Sequence, residues 1–90
     1  MRFRGRVDKT QNEIVMALRK IGARVAITSN LGNGFPDLLV AYRDDVILLM
    51  EVKSKGGKLT QDEESFYTEW RPYMVVVYTV DEALKAIGAI

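Results

Sequence analysis

Between residues 8 and 21 the apolar positions Ile14, Ala17, Leu18 and Ile21 recur at i, i+3, i+4 and i+7, the spacing of one helix face. Gly22 stands where such a helix stops. Glu13 falls at the border of that stripe, which places it at the rim of a core. Arg24 to Thr28 predicts a short strand, and Ser29-Asn30-Leu31-Gly32-Asn33-Gly34 a loop. Asp37 to Tyr42 and Val46 to Lys53 pair as a hairpin around the turn Arg43-Asp44-Asp45. The unbroken apolar run Val46 to Met50 predicts a strand covered on both faces. Ser54 to Leu59 is a loop rich in Gly and Lys. Thr60-Gln61-Asp62-Glu63 is a capping box that opens a helix to about Arg71, ended by Pro72. Met74 to Tyr78 predicts a core strand, and Asp81 to Ile87 a final short helix capped by Asp81. The order α-β-β-β-α-β-α predicts an α/β sandwich with a mixed central sheet flanked by helices.

Composition narrows what such a domain can do. Ninety residues make one domain, and 48% of them are apolar, so a core is affordable and disorder is not expected. No apolar stretch approaches the roughly 20 residues of a membrane helix. The opening MRFRGRVDK lacks the apolar segment of a secretory leader, and a cytoplasmic protein of a bacterial or phage-infected cell is expected. With 0 Cys, thiol nucleophiles and thiolate zinc sites are excluded. With 0 His, imidazole bases and imidazole ligands are excluded as well. Catalysis, if there is any, is then expected from carboxylates, lysine and a hard cation such as Mg²⁺. Net charge is only +1, but it is unevenly spread. Arg2, Arg4, Arg6 and Lys9 cluster at the start, and Lys53, Lys55 and Lys58 follow the second hairpin strand.

The candidate chemistry lies at the hairpin's end. Residues two apart in a strand share a face, so Glu51 and Lys53 project side by side. Asp37, which opens the partner strand, converges on the same spot. Alone, Glu51-x-Lys53 describes many solvated strand ends. The order Glu13, then Gly34-Phe35-Pro36-Asp37, then Glu51-Val52-Lys53 is far more specific. Carboxylates packed this closely repel one another unless a cation lies between them. Asp37 and Glu51 are the primary candidate ligands, with Glu13 completing the site directly or through water.

With these motifs the chain resembles the PD-(D/E)xK nuclease superfamily, and within it the VRR-NUC group, over roughly residues 8 to 80. That group's pattern is a helical Glu, G-x-P-D, E-V-K and a helix start of the form L-[ST]-x-x-Q. The last element departs here: Leu59-Thr60-Gln61-Asp62-Glu63 carries Glu63 at the Gln position and a Gln earlier, at Gln61. The resemblance implies a restriction-endonuclease-like sandwich and a Mg²⁺- or Mn²⁺-dependent endonuclease acting on DNA. It implies that the Val52 backbone carbonyl joins Asp37, Glu51 and Glu13 around the metal. Lys53 would orient or help deprotonate the attacking water, or stabilise the transition state. Small members of the superfamily, including those that cut four-way junctions, commonly act as homodimers. A homodimer that cleaves branched DNA is therefore expected.

Arg2, Arg4 and Arg6 suit phosphate contacts or a solvated tail, and Lys55 and Lys58 suit phosphate steering across the Gly56-Gly57 hinge. The Asn and Gly residues of the Ser29–Gly34 loop either approach a DNA backbone or merely turn. Phe66, Trp70 and Tyr73 are expected in a core or interface rather than as base-stacking platforms, and Tyr67 fits either role. No recognition helix or finger is visible. Two further readings stand beside the enzyme. One is a DNA-binding or assembly module that kept the fold without catalysis. The other is a structural ion pair between Glu51 and Lys53.

Overall fold

The computed structural model describes the backbone from residue 4 to residue 90 and the side chains from residue 9 onward. Helix α1 (Arg4–Lys20) leads into a hairpin-rich sheet: β1 (Arg24–Ile27), β2 (Leu38–Tyr42) and β3 (Val46–Val52). Helix α2 (Gln61–Trp70) crosses to β4 (Met74–Val77), and α3 (Val80–Ala86) ends the fold. The predicted order of elements is the observed one. The sheet is mixed, ordered β1-β2-β3-β4: the first three strands run antiparallel, and β4 lies parallel to β3 after the α2 crossover. Among the described residues no helix is long and apolar enough to cross a membrane.

Register decides which residues face the core. Leu38 pairs with Met50, Val40 with Leu48, and Met50 with Val75, so these residues share one face. That face packs against Ile14, Val15 and Leu18 of α1 and Ala83 of α3. Residues of opposite parity, including Leu39, Ile47, Leu49, Glu51 and Met74, lie on the second face. Leu49 and Met74 are buried there, but Ile47 is 68% exposed. The prediction that β3 is covered on both faces thus holds only for its C-terminal half.

Several local expectations need correction. The helix predicted from residue 8 begins at Arg4, so Arg4 and Arg6 lie on a helix rather than in a tail. Its buried stripe is Gln11, Ile14, Val15 and Leu18 instead of Ile14, Ala17, Leu18 and Ile21. Packing against both β1 and α3 turns the stripe toward Val15 and leaves Ile21 exposed. Glu13, expected at the stripe's border, consequently lies on the exposed side. Helix α2 does stop just before Pro72, as expected, and Pro72 then sits in a single 3-10 turn, Arg71–Tyr73, that leads to β4. Helix α3 is capped by Thr79, whose hydroxyl accepts the Glu82 N–H at 3.1 Å, and not by Asp81.

Candidate functional site

The end of β3 and the loop before β2 are fastened together. The Thr28 N–H donates to the Asp37 carbonyl at 2.7 Å, and the Thr28 hydroxyl donates to the Pro36 carbonyl at 2.8 Å. These bonds continue the β1–β2 ladder past its last paired residues and fix the Pro36-Asp37 step. Asp37 Oδ2 then accepts the Val52 N–H at 2.9 Å. A side-chain oxygen here occupies the place of a backbone acceptor, so Asp37 cannot swing away without orphaning a part-buried donor. The hairpin register, with Leu38 opposite Met50, sets Asp37 against Glu51 across the second face.

Glu51 is 3% exposed, and its Oε1 has no hydrogen-bond partner. Its Oε2 lies 3.6 Å from Lys53 Nζ. Lys53 Nζ makes a closer ion pair with Glu63 Oε1, at 2.7 Å. Glu63 is in turn the N3 residue of a complete capping box: its Oε1 accepts the Thr60 N–H at 2.9 Å, and its own N–H donates to the Thr60 hydroxyl at 3.2 Å. The Gln61 side chain is exposed and enters neither half of that box. Of the two, Glu63 is the one that reaches Lys53 and completes the capping box.

Electrostatics follow from this crowding. Burial, then the charges of Asp37 and Glu63, push the Glu51 carboxyl up to about 8. Asp37 is also raised: burial outweighs the Val52 N–H, which favours its ionised form. Burial alone would lower Lys53, but the hydrogen bond and charge of Glu63, followed by those of Glu51, hold it above its ordinary value. Glu63 moves the other way, because the Lys53 and Thr60 hydrogen bonds overcome its burial. Lys53 therefore stays an ammonium near neutrality, a donor and a positive charge rather than a ready base.

The residues present fit a small hard cation. Above about pH 8, where Glu51 ionises, its unpartnered oxygen beside Asp37 lacks a positive charge that a cation would supply. Among the described residues no cluster of three or more acidic, His or Cys side chains forms a metal cage. The fit is to a two-carboxylate site, Asp37 and Glu51, of the kind that leaves other positions to water and phosphate oxygens. The Val52 carbonyl stands at the same strand end as Glu51. Glu13 makes no hydrogen bond or ion pair with this group among the described residues.

The remaining predicted residues divide by place. Lys55 and Lys58 are exposed on the loop after β3. That loop is tied down by the Tyr78 hydroxyl, which donates to the Gly57 carbonyl at 3.0 Å, a link with no signal in the sequence. Arg2, and the side chains of Arg4 and Arg6, lie outside the described residues. Phe66, Trp70 and Tyr73 form no core. They run with Phe35 as a surface file, with ring centroids 5.2, 5.3 and 6.3 Å apart in succession, and Trp70 and Tyr73 are exposed. Missed in the sequence was the role of Gly34: a Cβ there would overlap the Asp62 carbonyl and lie 3.0 Å from Glu63 N. Its place in Gly34-Phe35-Pro36-Asp37 was the available signal.

No protein-family model, characterised protein or solved structure matches the chain.

Proposed function

We propose that this protein is a metal-dependent DNA endonuclease of the PD-(D/E)xK kind, hydrolysing phosphodiester bonds in branched or duplex DNA. The observation that carries the reading is the meeting of Asp37, Glu51 and Lys53 on one sheet face, with a buried Glu51 oxygen left unpartnered. Asp37 and Glu51 would hold Mg²⁺ or Mn²⁺, with the Val52 carbonyl beside them. A cation so bound lowers the pKa of its water and offsets charge developing on phosphate oxygens. Asp37 keeps its carboxylate aimed by accepting the Val52 N–H, and Glu51 keeps its free oxygen by burial. Lys53, held as an ammonium, would orient the attacking water by donating to it and stabilise the phosphorane-like charge. The exposed Lys55 and Lys58 would steer the phosphate backbone toward the acids.

One domain offers one such site. A homodimer would present two sites to two strands, and it belongs to the same proposal. Sedimentation as a monomer, with and without DNA, would remove it.

The direct test is incubation of the full chain with a labelled four-way junction, a flap and a linear duplex, with and without Mg²⁺. Cleavage that needs the cation is expected, together with its loss in Lys53→Ala while the circular-dichroism spectrum and DNA binding persist. Wild-type rates in Lys53→Ala would take this lysine out of the mechanism. A DNA-binding module without catalysis would instead bind DNA equally well as Asp37→Ala and take up no Mn²⁺ in calorimetry. The rival with an observation behind it is a purely structural ion-pair network, for which the 2.7 Å Lys53–Glu63 contact would suffice.

A further inference from the structure

We infer that Glu63 is a positioning residue for Lys53, delivered to it by the first turn of α2, which is itself seated on Gly34. The inference rests on the nuclease reading above and adds to it a second function for the capping box.

Three observations converge on Glu63. The first is geometric: its Oε1 lies 2.7 Å from Lys53 Nζ, closer than the 3.6 Å from Glu51 Oε2 to the same atom. A flexible lysine stem carries several rotatable bonds, and its ammonium goes where the best acceptor stands. That acceptor is on α2, not on β3. The second is local: the same Oε1 accepts the Thr60 N–H at 2.9 Å, so the carboxylate cannot follow Lys53 into the site without uncapping its helix. The third is tertiary. Gly34 lies so close to the backbone of Asp62 and Glu63 that no side chain fits between them, and its φ of +82° is one that other residues rarely adopt. Two residues after Gly34 comes Pro36, and then Asp37. The loop that places a metal-binding acid therefore also places the turn that places the lysine.

A merely structural cap and a positioning residue make different predictions. Removing either half of the capping box weakens the start of α2. Only the Glu63 half touches Lys53. In Glu63→Ala, kcat for DNA cleavage should fall on the order of 10²-fold with KM little changed, the scale of a misplaced catalytic group. Thr60→Ala, which also weakens the cap, should keep kcat within a few-fold of wild type. Glu63→Gln retains an acceptor for both Lys53 and the Thr60 N–H, and should recover most of the activity.

A second measurement needs no turnover. Lys53 in the intact protein is acylated with an N-hydroxysuccinimide ester and its peptide is quantified by mass spectrometry. Labelling should be slow in the wild type and Thr60→Ala, and several-fold faster in Glu63→Ala. Equal labelling and equal kcat in the Glu63→Ala and Thr60→Ala proteins would overturn the inference. Wild-type protein that cuts no DNA would sink the nuclease reading instead, while the labelling comparison would still judge the Glu63–Lys53 contact.

Discussion

Among the described residues, Glu51 is the carboxyl whose ionised form is most disfavoured. Its carboxyl is buried, faces Asp37 and Glu63, and titrates at about 8 instead of 4.5. Between those two values the folded protein retains a proton that the unfolded chain has released. Stability must then fall as pH rises through that window, and level off below 4.5, where both states are protonated. Asp37, also raised, adds to the same slope. Glu63, lowered, acts oppositely and only at acid pH: its contribution is present above its unfolded value and is lost as pH falls through its depressed one. In chelator, therefore, the melting temperature of the wild type should decline from pH 5 to pH 8.5, by an amount reflecting a few kcal/mol. Glu51→Gln keeps the shape and removes the charge, so its decline should be much shallower. Differential scanning calorimetry across that range decides the matter, and parallel slopes for the two proteins would show that Glu51 is not the group being titrated.

Helix α2 is the least buried of the three helices. It has ten residues, none buried, whereas α1 buries Ile14, Val15 and Leu18. A helix that short is marginal alone. It is held by its capping box, by the approach of Gly34, and by the edge of Phe35 against Phe66 at 5.2 Å. Native-state hydrogen exchange should find α2 amides opening at far lower free energy than those of β3, which lies between two partner strands. Phe66→Ala should lower α2 protection further and leave β3 unchanged, and uniform protection across both elements would contradict this ranking. The same contrast explains what could be read from the sequence. The capping box was legible because Thr60 and Glu63 meet within one turn. Asp37, Glu51 and Lys53 were legible because strand alternation and a tight hairpin leave little freedom in their placement. The buried face of α1 was not, since β1 and α3 decide it and both Val15 and Ala17 are apolar enough for either orientation. Nor was the Lys53–Glu63 pair, because it bridges a strand end and a helix start whose docking depends on a glycine contact.

For the molecule as a whole, a cation held by the acid cluster would link binding to folding. A ligand that binds only the folded state stabilises it by mass action, about 2.7 kcal/mol when free ligand is a hundred times its Kd. In a domain of this size that is a rise in melting temperature of roughly 10 to 20 °C. The rise should be larger at pH 8 than at pH 6, because a proton on Glu51 competes with the cation. The structural ion-pair reading expects otherwise. If Lys53 already supplies the only positive charge that Glu51 and Glu63 need, added Mn²⁺ should leave melting unchanged, and replacing Glu51 and Lys53 together should cost little. The unpartnered Oε1 of Glu51 argues against sufficiency, since Lys53 approaches the other oxygen and is drawn more strongly to Glu63. Melting curves of the wild type, Asp37→Asn and Glu51→Gln over a Mn²⁺ titration therefore separate the two. A saturable rise confined to the wild type supports a cation site built from both acids, and three flat titrations would leave the cluster as an ion-pair network alone.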